Sequence, residues 1–147
     1  MTTYKPSENI AYVGGIDPDA NATGAISTDY VDMEFFENLL AVVQVGIIAA
    51  SGTVDFKLRQ ATSATGAGVK DISSKAITQM ATGDNDEQAL VNLRADELDL
   101  ANNFRYAVGV MTTTTAAGDS AVAMLGYKHK HGVASDHDIA SVGEIVA

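Results

Sequence analysis

The chain has 147 residues, no cysteine, and a formal charge of −10 from nine Lys and Arg against nineteen Asp and Glu. That length fits one domain with a core large enough to stand without covalent staples, and the lack of Cys excludes disulfides, zinc–thiolate sites and thiol nucleophiles. The acidity argues against direct nucleic-acid binding, which needs a basic face, and against docking on an anionic membrane. A local patch drawn from Lys57, Arg59, Arg94, Arg105, Lys128 and Lys130 is the one arrangement a count along the sequence would miss.

The opening Met-Thr-Thr-Tyr-Lys-Pro has no apolar h-region, so no secretory signal is expected. The longest apolar run, Leu39 to Ala50, contains Gln44 and Gly46 and is too short to span a bilayer. The expectation is a soluble protein made in the cytoplasm. Residues 1–25 read as an irregular N-terminal arm, with a short apolar piece at Ile10–Val13 punctuated by Gly14-Gly15 and Asp17-Pro18-Asp19.

Residues 26–134 carry the strands. Ile26 to Met33 reads as the first, and Met33, Phe36 and Leu40 also fit a helical turn. Leu39 to Ala49 is β-branched and apolar on both faces: Leu39, Val43, Val45 and Ile47 on one, Leu40, Val42 and Ile48 on the other. A strand of that kind is expected to be covered on both sides, by a second sheet or by a partner. After the turn signal Ser51-Gly52, residues 53–60 alternate cleanly, with Val54, Phe56 and Leu58 inward and Asp55, Lys57 and Arg59 outward; a hairpin with the preceding run is expected. Residues 62–74 read as a loop, 75–80 as a short strand, and 82–87 as an acidic loop. Ala89, Val91 and Leu93 share one face of the next strand. Phe104 to Thr112 puts Phe104, Tyr106, Val108 and Val110 on one face. A hairpin around Gly118 leads to Ser120–Lys128, with Val122 and Met124 opposed to Leu125 and Tyr127. In the tail, residues 135–147, Ser135 followed by Asp138 resembles a helix start, with Ile139, Val142 and Val146 as its stripe and Gly143 against it. Seven or eight strands without a strand–helix alternation predict a mainly β fold: an antiparallel β-sandwich or jelly-roll-like barrel with an N-terminal arm and a short C-terminal helix or arm.

Five places could carry chemistry. Asp17-Pro-Asp-Ala-Asn21 has the oxygen spacing that opens a calcium loop, but Ala22 stands where glycine is needed and Thr28 where a bidentate Glu closes the loop, so a turn with Asx side chains on backbone amides is expected. Asp84-Asn-Asp-Glu87 reads as a solvated loop. His129-x-His131, with His137 nearby, could face one way on a strand and bind zinc, yet Lys128 and Lys130 flank the pair and an exposed polar strand end is expected. Ser135, Asp136 and His137 are sequence neighbours, which is not triad geometry. Gly66-x-Gly68 lacks a phosphate-cradling continuation. No catalytic, cofactor-binding or metal-ligating residue is assigned, and no cofactor is expected.

The order Ile-Asp-Pro-Asp-Ala-Asn (16–21), Val-Asp-Met (31–33), the apolar run, Val-Asp-Phe-Lys-Leu-Arg-Gln-Ala-Thr (54–62), Lys-Ala-Ile-Thr-Gln (75–79), Asn-Leu-Arg-Ala-Asp-Glu-Leu-Asp (92–99), Gly-Tyr (126–127) and an acidic tail resembles small virion proteins encoded among the head and tail genes of long-tailed bacteriophages. The resemblance covers nearly the whole chain. It implies a non-enzymatic capsid cement or decoration protein on the outer surface of the phage head. Its partners would be the major capsid protein and further copies of itself, often as trimers, with arm and tail as straps. The alternative it implies is a tail-tube or head–tail connector protein.

Overall fold

A computed structural model describes residues 4–131, 137–138 and 140–146. A short helix α1 (Pro6–Asn9) leads into β1 (Ile10–Asn21), followed by β2 (Gly24–Ser27), β3 (Val31–Asp32), β4 (Phe36–Ile48), β5 (Thr53–Ala61), β6 (Lys70–Ala76), β7 (Met80–Ala81), β8 (Gln88–Arg94), β9 (Tyr106–Thr114) and β10 (Gly118–His129). The strands form two antiparallel sheets. One has the order β1-β10-β4-β8, the other β2-β9-β5-β6, with β3 added on β9 and β7 on β5. With β2/β3 and β6/β7 each read as one interrupted strand, eight strands make a jelly roll in which every connection but β5 to β6 crosses between sheets. Among the described residues, no helix is long and apolar enough to cross a membrane.

The core lies between the sheets. From β4 it takes Leu39, Ala41, Val43 and Val45, from β5 Val54, Phe56 and Leu58, from β8 Val91 and Leu93, and from β10 Val122 and Met124. Two phenyl rings fill it only because glycines face them. A Cβ on Gly126 would lie 2.6 Å from the Phe36 ring, and one on Gly109 would lie 2.7 Å from the Phe56 ring. Glycine inside a strand marks such close approach.

Several expectations are corrected here. The segment read as an irregular arm is mostly β1, an edge strand paired along β10 from Ile10↔Tyr127 to Asn21↔Gly118. Its breakers are absorbed by register shifts at Tyr12/Gly14 and Ile16/Asp19. The two expected hairpins are not hairpins: β4 and β5 lie in different sheets, as do β9 and β10. Each tight connection is an arch between layers, turned by a residue in the left-handed region, Ser51 (φ 65°) and Thr115 (φ 67°). Nor is β4 covered on both faces. The shift opposite Gly118 and Ser120 swaps the last two isoleucines, so Ile48 is buried and Ile47 is 65% exposed. In β9, Tyr106, Val108 and Val110 share one face as expected, the side of Arg59 and Lys57, with Val108 buried there, while Ala107, Gly109, Met111 and Thr113 meet the core between the sheets. Residues 33–35 form a turn rather than a helix, and β6 begins inside the expected loop, at Lys70. Ser135, Asp136 and Ile139 of the expected tail helix lie outside the described residues; those described after them are not helical.

Candidate functional site

The outer face of the four-stranded sheet has an apolar centre, bounded by Gln44, Gln88, Asn92 and Arg94. Register aligns Tyr12, Leu125 and Leu40 in one row and Ala123, Val42 and Leu90 in the next. Among the described residues no second layer covers these rows, whose members other than Leu90 are half-buried. Leu90 is 62% exposed, and Tyr127 and Ile10 extend the patch toward the start of β1. The six-stranded sheet turns a charged surface outward. Asp71 accepts from Lys57 Nζ at 2.7 Å and Arg59 Nε at 2.8 Å, and Gln79 Nε2 donates to Asp55 at 2.7 Å. The hydrogen bond from Lys57, with the Arg59 charge beside it, holds the Asp71 carboxyl below the usual carboxylate range.

The two ends of the sandwich also differ. At one end, the β3–β4 turn, the end of β8 and the end of β10 frame a groove of about 590 Å³. Arg94, Arg105, Lys128 and Lys130 rim it, together with Glu34, Glu37 and Asp96, and Ala95 and Leu100 supply apolar wall. Arg105 pairs with Asp32 and Glu34, Arg94 with Asp96, and Lys128 approaches Glu37 at 3.6 Å. A hydrogen bond with the Tyr106 hydroxyl, then the charges of Asp32 and Glu34, raise the Arg105 pKa above its ordinary value. Lys130 Nζ donates to the Met33 carbonyl at 2.9 Å. At the opposite end, a depression between β1, β4, β8 and β10 is lined by Asp19, Asp86 and Asp119 with no Lys or Arg. So four of the six cations whose meeting place is hidden in the sequence converge on one groove, while Lys57 and Arg59 converge on Asp71. Their common position at strand ends in register, Arg94 opposite Asn38 and Asn38 opposite Tyr127, is the signal that could have found the groove.

The residues singled out for chemistry are structural where described. In Asp17–Asn21, Asp19 Oδ1 accepts from the Ala20 amide at 2.7 Å, and Asn21 is buried, tying β1 to the Ser120 carbonyl at 2.8 Å. Asp84 accepts from the Ala81 amide, and Asn85 Oδ1 accepts from the Ile48 amide at 2.9 Å, so this loop caps β4. His129 packs edge-on against Phe36 with ring centroids 4.8 Å apart. His131 lies past the end of β10 in a bend, so the two are not side by side on a strand. His137 is elsewhere, on β1: Nδ1 accepts from the Tyr12 amide at 3.1 Å and Nε2–H donates to the Ser7 carbonyl at 3.0 Å. Asp138 N–H then donates to the Tyr12 carbonyl at 2.7 Å, laying this part of the tail along the sheet edge. The Tyr12 hydroxyl has its pKa raised by burial and by Asp17, Asp138 and Asp29. Among the described residues, no three His, Asp or Glu groups converge on a metal-sized site.

No protein-family model matches the chain, and no curated protein matches it. Solved structures do. A chain of Broad Bean Stain Virus, determined by cryo-EM, superposes with a TM-score of 0.50 and 11% identity over 91% of this chain and 93% of that one. A chain of a Cowpea Mosaic Virus empty virus-like particle gives 0.44 and 10% over 90% and 87%. A chain of Desmodium yellow mottle tymovirus gives 0.39 and 9% over 92% and 98%. The likeness to the Broad Bean Stain Virus chain is one of fold.

Proposed function

We propose that this chain is a virion structural subunit, and specifically a cement protein that lies on the outer surface of a phage head and braces neighbouring capsid subunits. One observation carries the reading: besides the residues that fill its core, the four-stranded sheet turns an apolar row of half-buried Leu40, Val42 and Leu125 and exposed Leu90 outward, with no further layer over it among the described residues. Contiguous exposed apolar surface rimmed by polar residues marks an association site. The jelly-roll fold it shares with a virus chain and the sequence resemblance to phage head and tail proteins support the same reading. Work of this kind needs no reacting group. A subunit that binds only the assembled shell stabilises that state by its own binding free energy, and repetition over the lattice multiplies a modest contact.

The test is particle composition followed by interface mutation. Hundreds of copies per purified particle, with density on the outer shell, are expected. Copies lining a tail tube, or a dozen at the head–tail joint, would move the assignment to the tube or connector. Val42→Asp and Leu90→Asp should each abolish binding to shells while circular dichroism and thermal midpoint stay those of a folded domain. Full shell binding by both variants would remove this face as the interface.

A further inference from the structure

The apolar sheet face does not use the two ends of the sandwich, and those ends are complementary to each other. The groove gathers four of the chain's nine Lys and Arg against three lining carboxylates, in a chain whose formal charge is −10. Arg105 is held by the largely buried Asp32, but the pairs Arg94–Asp96, Arg105–Glu34 and Lys128–Glu37 are exposed, and exposed pairs exchange partners at little cost. Lys130 donates to a carbonyl, with no carboxylate paired to it among the described residues. The floor offers Ala95 and the 54% exposed Leu100.

The other end presents the inverse. Gly46 lines it, and the next residue along β4, Ile47, is 65% exposed. Next to it, the Gly46 carbonyl accepts from the Asp86 amide, and the Asp119 side chain lies over the Gly46 α-carbon. Pairing of Asp19 with Ser120 brings a third carboxylate alongside. One end thus carries three carboxylates beside an exposed isoleucine, and the other a partly apolar groove rimmed by four cations and three carboxylates. They cannot meet within one molecule. Strand β4 contributes Glu37 and Asn38 to the groove and Gly46 to the acidic end, about 25 Å apart at a strand's rise per residue.

We infer that the acidic end of one copy of this chain seats in the cation-rimmed groove of the next, with Ile47 entering against Ala95 and Leu100 and Asp19, Asp86 and Asp119 pairing with Arg94, Arg105, Lys128 and Lys130. The contact is head-to-tail, so each copy uses both ends, and the assembly closes into a ring or propagates according to the rotation per step. The arrangement also keeps like-charged acidic ends apart. It is independent of the cement reading, because it needs no shell.

The experiment is sedimentation velocity on the full chain without capsids, at about 50 mM and about 500 mM salt, where screening shortens the reach of the charges severalfold. Species larger than the monomer are expected at low salt and should dissociate at high salt. Two double variants reverse opposite ends at exposed positions: Arg94→Glu with Lys128→Glu, and Asp19→Lys with Asp119→Lys. Each alone should sediment as a monomer with an unchanged circular dichroism spectrum. Mixed in equal amounts they should reassemble, because the reversed groove now meets a reversed end. Ile47→Ser should weaken association at least tenfold. A wild-type chain that stays monomeric at low salt, or reversed variants that associate as the wild type does, or a mixture that stays monomeric, overturns the proposal. Shell binding by the same variants reports separately on the cement reading.

Discussion

On β5 the outward positions of the six-stranded sheet are Asp55, Lys57 and Arg59; on β4 the outward positions of the four-stranded sheet include Leu40, Val42 and Ile47. Both strands bury the alternate residues in the same core, yet they treat solvent in opposite ways. The charged face is complete by itself, because Asp71 satisfies both Lys57 and Arg59. The apolar face has no such internal partner among the described residues. Alternation therefore tells which residues meet the core, while the chemistry of the other face tells whether the sheet ends at water or at a neighbour.

The core serves both faces, so the largest effect comes from within it. Phe56→Ala should cost about 3–5 kcal/mol, read from denaturant midpoints, because a fully buried ring is replaced by a cavity. A loss below about 1 kcal/mol would mean that the sheets collapse over Gly109 and are not rigid layers. Next, Gly126→Ala should cost about 1–3 kcal/mol through overpacking against Phe36, visible as a lowered thermal midpoint. If Gly126→Ala melts with the wild type, the ring has room to move.

The comparison itself is sharpened by paired surface variants. Leu90→Ser should leave stability within about 0.5 kcal/mol but reduce binding of a hydrophobic dye, whereas Lys57→Ser should leave dye binding unchanged. Equal responses would remove the distinction between the faces. The smallest effect is expected at Asp71. Asp71→Asn should cost at most about 1 kcal/mol at low salt and nothing measurable at high salt.

Acid acts in the same direction. Asp71, Glu97 and Asp99 are held below their ordinary pKa values: Asp71 chiefly by the Lys57 hydrogen bond, Glu97 by the Arg94 amide and then Lys75, and Asp99 by Lys70 and then Asn102. Depressed carboxylates stabilise the fold above the ordinary carboxylate range near about 4, and that contribution is lost as pH falls through their lower folded values. Because Asp71 is exposed and Glu97 and Asp99 are partly so, denaturation measured at pH 7 and at about pH 3 should differ by only a small contribution from these groups.

Much of the fold can be read along the chain where polar and apolar residues strictly alternate. Residues 54–59 are the clearest case, since each outward residue is charged, and Val122 and Met124 likewise separate from Leu125 and Tyr127. Turn chemistry at Ser51-Gly52 and around Gly118 reports that the chain bends. It does not report whether the next strand stays in the sheet or crosses to the other layer, so arches were expected as hairpins. The first strand was hidden by Gly14-Gly15 and Asp17-Pro18. Gly15 stands in a strand because the Tyr12 hydroxyl and the Val122 carbonyl lie where a Cβ would be, and Asp17-Pro18 is taken up by a register shift. The groove is legible least of all. Arg94, Arg105, Lys128 and Lys130 are scattered over 37 positions of the sequence and gather only because β8, β9 and β10 begin or end on the same side.

The order of strands in the four-stranded sheet also governs when the protein can be finished. Strand β10, residues 118–129, follows the other described strands along the chain, yet it is inserted between β1 and β4, two of the earlier ones. Until it emerges from the ribosome, β1 has no partner in its sheet and one edge of β4 stays open. A nascent chain therefore carries sticky strand edges until residues 118–129 have been made.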